Sequence, residues 1–226
     1  MNRRILFSVI ALFVLGSASL FWFYRTAIPQ VPVPRAMPPA VSGDMDAILQ
    51  TLEAELKQDN PEIGAALLPG ITLRELEIAE AALGTPLHAE MRQLYQWHNG
   101  LARGAELFPG YEFYPLQDAI ELNQDLVAQY KKSGAWLFMA HEAGWLSLFP
   151  DAAGDGYYYD PGRDYETGGV FFNFRESSSY IFFPSVRNLL QAIVDCYRQG
   201  VYRGGETLDF EREHQITETY GQPVAP

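Results

Sequence analysis

Helical spacing of apolar residues is clearest in LGTPLHAEMRQLYQWHNG, residues 83–100. Leu87, Met91, Leu94, Tyr95 and His98 recur at steps of three and four, which places them on one face of a helix. Gly84 stops the element before it, Pro86 suits a first turn whose N–H groups lack intrahelical acceptors, and Asn99-Gly100 accepts the left-handed conformation that closes a helix. The spacing predicts a core helix over Pro86 to His98. The same period runs through Asp44 to Lys57, with Met45, Ile48, Leu49, Leu52 and Leu56 on one side and Ser42 or Asp44 as cap. Thr72 and Glu75 match a capping box, opening a helix that ends at Gly84. Leu116 to Lys132 and Ser185 to Gln199 complete the helical set, the last with Val186, Leu189, Leu190, Ile193 and Tyr197 aligned.

Between those last two helices the period shortens. Aromatic and β-branched runs at Trp136 to Ala140, Trp145 to Phe149, Tyr157 to Tyr159, Gly169 to Phe174 and Tyr180 to Phe183 predict strands. Asp151, Gly154, Asp155, Gly156, Asp160, Pro161 and Gly162 supply turns. Tyr111 to Tyr114 predicts one earlier short strand. Helices, then an antiparallel run, then a closing helix is the order of an α+β fold. The expectation is a single domain over residues 44–200, with an antiparallel-rich sheet wrapped by helices, followed by a polar tail at 201–226 that is loose at its end.

The N-terminus follows another pattern. Arg3 and Arg4 precede Ile5 to Tyr24, a stretch without charge, and Arg25 closes it. Such a run in a helix is about 30 Å long, one hydrocarbon core, and Trp22 and Tyr24 sit where aromatics favour headgroups. The reading is a membrane anchor over residues 1–26, spanning through residues 5–24. The basic pair would then hold the N-terminus in the cytoplasm and put the domain outside it, as a single-pass inner-membrane protein. The alternative is export after signal cleavage near Gly16-Ser17-Ala18. Residues 27–43, with Pro29, Pro32, Pro34, Pro38 and Pro39, read as an extended stalk.

Charge narrows the function. With 28 acidic against 16 basic residues, the formal net charge of −12 argues against nucleic acid and suits a partner with a basic surface. Simple solubility is the plainer meaning of the same balance. The lone Cys196 lies in the closing helix and reads as a buried structural thiol.

Catalytic grammar is missing. There is no GxGxxG loop, P-loop or Gly-x-Ser-x-Gly elbow. His141-Glu142 opens like a zincin motif, but position 145 is Trp, and His88, His98, His141 and His214 do not pair at ligand spacing. No catalytic residue, metal or cofactor is expected. The densest chemistry is the acidic, aromatic stretch after Trp145. Asp151, Asp155 and Asp160 flank Tyr157, Tyr158 and Tyr159, which alternate faces on a strand, so an exposed Tyr beside carboxylates would make a binding hot spot. Turn formation and sheet core explain the same residues without a partner.

The order of these signals resembles the SUKH superfamily, the cell-wall-regulator and immunity-protein family of Smi/Knr type. The resemblance rests on the turn Pro69-Gly70, the capped helix with Leu76 and Glu80, the stop Leu83-Gly84, the start at Leu87 and the end Trp97-His98-Asn99-Gly100. Downstream it continues through Phe113 to Leu116, Trp145-Leu146-Ser147-Leu148, Gly154 to Asp160, Gly169-Val170 and Pro184 to Tyr197. His88 departs from the family's frequent Pro after the Leu, and Pro86 precedes it instead. The resemblance implies an α+β binding domain. Its bacterial members look like immunity proteins that neutralise toxins by contact, and its eukaryotic members like scaffolds for cell-wall synthesis. The first expectation is therefore a non-enzymatic immunity-type protein that binds a protein partner, with a basic toxin as the candidate. An envelope-anchored scaffold or regulator is the alternative, and a hydrolase using the acidic loop is a third reading. The candidate contact residues are Trp145, Asp151, Asp155, Tyr157, Tyr158, Tyr159 and Asp160.

Overall fold

Asp44 accepts the Asp46 N–H and starts helix α1, Met45–Asp59, which buries the five apolar residues that the spacing aligned. Asn60 ends it and caps the short helix α2, Pro61–Ala66. Strand β1, Leu67–Pro69, leads to helix α3, Leu73–Leu83, whose Thr72–Glu75 capping box is complete and whose C-cap Gly84 is left-handed. These features belong to a computed structural model of the chain, which describes residues 41–133, 145–152, 155–161, 168–173 and 180–224.

Helix α4, Ala89–Trp97, is shorter than its apolar spacing predicts. Its start is displaced because Leu87 N–H donates to Glu80 Oε1 at 2.8 Å and His88 is extended, so Pro86 lies outside the first turn. Its end is displaced because His98–Leu101 forms strand β2, antiparallel to β1. Gly100 therefore serves a crossing of chains. Its φ is +80°, and an added Cβ would lie 2.5 Å from Pro115 N and 2.7 Å from Phe113 O. Gly70 answers a similar demand, since a Cβ there would lie 1.8 Å from Gln96 O. Asn99 Oδ1 accepts the Leu116 N–H at 2.9 Å, so its side chain serves the next helix.

Strands β3, Glu106–Phe108, and β4, Tyr111–Glu112, form a hairpin before helix α5, Leu116–Ser133. Then come β5, Leu146–Pro150, β6, Gly156–Asp160, β7, Gly169–Asn173, and β8, Tyr180–Phe183. Helix α6, Val186–Arg198, capped by Ser185, follows. Beyond it lie the hairpin strands β9, Tyr202–Arg203, and β10, Glu206–Thr207, then helix α7, Phe210–Tyr220, and strand β11, Gln222–Val224. The main sheet has the order β11-β8-β7-β6-β5 and is antiparallel throughout. The polar tail is thus part of the fold, since β11 pairs with β8 and supplies an outer strand.

Register assigns each aromatic to a face. Leu146, Tyr159, Val170 and Phe183 lie across from one another and join the helical core. Ser147, Tyr158, Phe171 and Phe182 line the other face and are also buried. On the core side α6 packs against α1, α4 and α7. Asn188, fully buried at its start, ties three segments together. Its Oδ1 accepts Val41 N–H, and its amide donates to Tyr220 O. The last residues of the expected stalk are therefore fastened to α6.

The described residues up to 125 and from 145 onward fall in one compact unit, and residues 126–133 of α5 fall in a second. One expectation is corrected here, and it concerns the membrane. Among the described residues no helix is long and apolar enough to cross one. The longest, α5, interrupts its apolar positions with Asp118, Glu121, Asp125 and Lys132, and charge at that density is costly in hydrocarbon. Residues 5–24 lie outside the described residues, as do the expected strand at Trp136 to Ala140 and the Pro-rich residues 27–40. The transmembrane helix and the single-pass inner-membrane localisation are withdrawn.

Candidate functional site

The seven residues singled out in the sequence separate in space. Trp145 is buried and packs its ring 4.6 Å from Phe171, on the sheet face opposite the helices. Tyr158 stacks on the same Phe171 at 5.8 Å and is buried. Tyr159 is fully buried on the core side, and its hydroxyl accepts the His88 N–H at 3.3 Å. Asp160, at the end of β6, is buried as well. Asp151 and Asp155 close the β5–β6 turn on each other. Asp155 N–H donates to the Asp151 carboxylate, and Asp151 N–H to Asp155 O, each at 2.8 Å.

Tyr157 is only partly buried, and around it the structure gathers residues from distant parts of the chain. Its ring meets Phe172 of β7 edge-on at 4.9 Å and Tyr111 of β4 at 5.3 Å, while Tyr111 meets Phe172 at 5.9 Å. These rings floor a cavity of about 210 Å³, whose other wall is helix α7 with Phe210, Glu213, His214 and Thr217. Asp209 positions that wall: its side chain accepts the Arg212 N–H at 2.9 Å and fixes the first turn. Phe210, the first residue of α7, is 74% exposed at the groove's edge. Most large apolar side chains among the described residues are buried, so a phenylalanine left in water beside a concave aromatic surface is informative.

The field in this groove is negative. Glu213 Oε1 accepts the Tyr202 hydroxyl at 2.6 Å, and its Oε2 makes no hydrogen bond among the described residues. The Tyr111 phenol is pushed far above its ordinary range by burial, with Asp151, Glu213 and Asp155 adding to the shift. Those carboxylates are thus close enough to act on the groove floor. Burial, then Tyr111 and Glu213, raises the Tyr157 phenol likewise. Both phenols stay neutral and offer π faces and hydroxyl donors. His214 on the rim turns to Glu218, Nε2 to Oε1 at 3.2 Å.

A second groove of about 190 Å³ lies between α3 and α5, lined by Ile71, Glu75, Ile78, Ala79, Asn99, Leu116 and Gln117. Leu73 and Ile78 are exposed on α3. Glu75, its ionisable lining residue, is engaged by Thr72 N–H and Oγ1–H at 2.7 Å each. This groove has no aromatic floor, so the α7 groove is the stronger candidate.

Of the residues expected in a contact surface, Tyr157 lines the groove, and Asp151 and Asp155 lie near enough to charge it. Tyr111, Phe172, Phe210, Glu213, His214 and Thr217 were not expected there. The sequence carried one usable signal: Asp209 directly before Phe210 is a helix start in a segment otherwise read as tail. No group of three or more His, Cys, Asp or Glu side chains among the described residues is arranged to hold a metal.

No curated protein matches the chain. The model of the SMI1 / KNR4 family (SUKH-1), however, matches residues 70–192. That span runs from the Gly70 turn to the middle of α6 and covers more than half of the sequence, so the chain belongs to the SMI1 / KNR4 family (SUKH-1).

Proposed function

We propose that this chain is a binding protein with no chemistry of its own, and that it neutralises a protein toxin by direct contact. The observation that carries the reading is Phe210, 74% exposed beside an aromatic, acidic groove. Burying such a side chain in a partner contributes about 1.5–3 kcal/mol, and aromatic anchors next to concave surfaces are typical interface hot spots. Membership of the SMI1 / KNR4 family supports the reading, being compatible with an immunity-like or a cell-wall-related role. The net charge of −12 favours a basic partner through complementary fields.

Co-expression with the toxin candidates encoded beside its gene tests the proposal. Growth should be restored, and toxin and chain should co-purify at fixed stoichiometry. Toxins that stay lethal, with no stoichiometric complex, would overturn it. Catalysis has its own test: Asp160→Ala, outside the groove, should leave neutralisation intact when the melting curve is unchanged.

A further inference from the structure

We infer that the α7 groove is a receptor for one arginine side chain projected by the protein partner. The inference rests on the proposal that this face is the contact surface and adds the chemistry of its anchor. Three observations combine. The Tyr111, Tyr157 and Phe172 rings meet edge-on at 4.9–5.9 Å, so their planes are steeply inclined to one another and present π surface toward a shared space. A cavity of about 210 Å³ opens onto them. At its wall Glu213 keeps Oε2 without a hydrogen bond among the described residues, while Oε1 is anchored by Tyr202.

An aromatic floor with a carboxylate on the wall is complementary to a flat cation. A guanidinium stacks on ring faces and donates in its plane, so one group satisfies both features. A neutral apolar side chain would fill the space but leave Glu213 Oε2 desolvated with no donor. An anionic one would meet Glu213, Asp151 and Asp155, whose field already reaches Tyr111. Phe210, beside the opening, would cover the aliphatic stem and exclude water.

The test needs no identified partner. The full chain, labelled with 3-fluorotyrosine, is titrated with Nα-acetyl-arginine amide and separately with Nα-acetyl-citrulline amide, its neutral near-isostere. Tyr111 and Tyr157 signals are assigned from Tyr→Phe variants. The arginine probe should shift both signals saturably, and citrulline should bind at least about tenfold more weakly, the scale of a hydrogen bond to a charged group. Glu213→Gln keeps an acceptor for Tyr202 and should lower arginine affinity by about the same factor without moving the melting temperature. Equal binding of the two probes, or arginine shifts that survive Glu213→Gln unchanged, would overturn the inference. So would no saturable shift at either tyrosine. Toxin neutralisation measured by growth is independent of these titrations, so loss of the arginine site would leave the binding function to be judged separately.

Discussion

Glu90 provides the sharpest stability test, because a carboxylate on α4 holds the start of α6. Its side chain is 4% exposed. Oε1 pairs with Arg187 Nη2 at 3.1 Å, and Oε2 accepts the Arg187 backbone N–H at 3.0 Å. That N–H is in the first turn of α6, where donors have no intrahelical acceptor and an anion is favoured by the helix dipole. In Glu90→Ala both bonds go. Among the described residues Arg187 would keep only the Val41 carbonyl at 3.4 Å, and its Nε already has no hydrogen-bond partner there. Breaking a buried pair by removing one partner costs about 3–5 kcal/mol. The Arg187 side chain is 25% exposed, so water would recover part of that loss, and about 3 kcal/mol is the expectation.

In a unit of this size that lowers the melting temperature by about 6–12 °C. Glu90→Gln keeps an acceptor for the backbone N–H and should cost about half as much. Urea unfolding followed by far-ultraviolet circular dichroism measures both, and Arg187→Met completes a cycle with an expected coupling of about 1–3 kcal/mol. A Glu90→Ala loss below about 1 kcal/mol, or no coupling, would refute the role given to this pair.

Four further outcomes follow from named contacts. Gly100→Ala and Gly70→Ala should each destabilise by more than about 2 kcal/mol, because each Cβ would enter a backbone. Gly104→Ala, with φ +81° and nothing within 4 Å, should cost only about 1–2 kcal/mol; equal melting temperatures for the three would sink the crossing-chain explanation. Cys196 is 1% exposed, and burial pushes its thiol up to about 12. A thiol reagent at pH 8 should react with it only on the timescale of unfolding, and reaction within minutes in native buffer would contradict this. The Glu53 carboxyl is held below its ordinary range, chiefly by Lys57 and also by the Trp97 indole N–H at 3.0 Å. Its stabilising contribution is therefore full above about pH 4.5 and disappears as pH falls through the lowered folded value. Glu53→Gln should be less stable than the parent at pH 6 and converge with it in acid, while a gap that widens in acid would reverse the sign.

Elements with a strong, well-capped apolar stripe were legible in the sequence. Helix α1 buries the same five residues that the spacing aligned, and α3 forms its capping box. Family-signature positions were legible as punctuation but not in their cause. Asn99-Gly100 reads as a helix stop, whereas the Asn caps the next helix and the Gly makes room for residues 113–115. Helix α7 escaped because it buries only Ile216 and Thr217, too little apolar surface for a visible period.

The site was legible in part. Alternation along Tyr157 to Tyr159 implies one wet face, but this sheet is buried on both sides, which places Trp145 and Tyr158 inside. Only Tyr157 reaches the groove, and its companions come from β4, β7 and α7. Such a surface is created by long-range pairing, which local pattern does not encode.

The central claim, that the α7 groove is the contact surface for a protein partner, is tested most directly by calorimetric titration of the full chain against the partner recovered by co-expression. Phe210 is 74% exposed, so Phe210→Asp should leave the melting temperature unchanged. The parent chain should form a one-to-one complex, and Phe210→Asp should weaken it by about 30-fold or more, the scale of a hot-spot residue. Undiminished affinity in the folded Phe210→Asp chain would contradict the account.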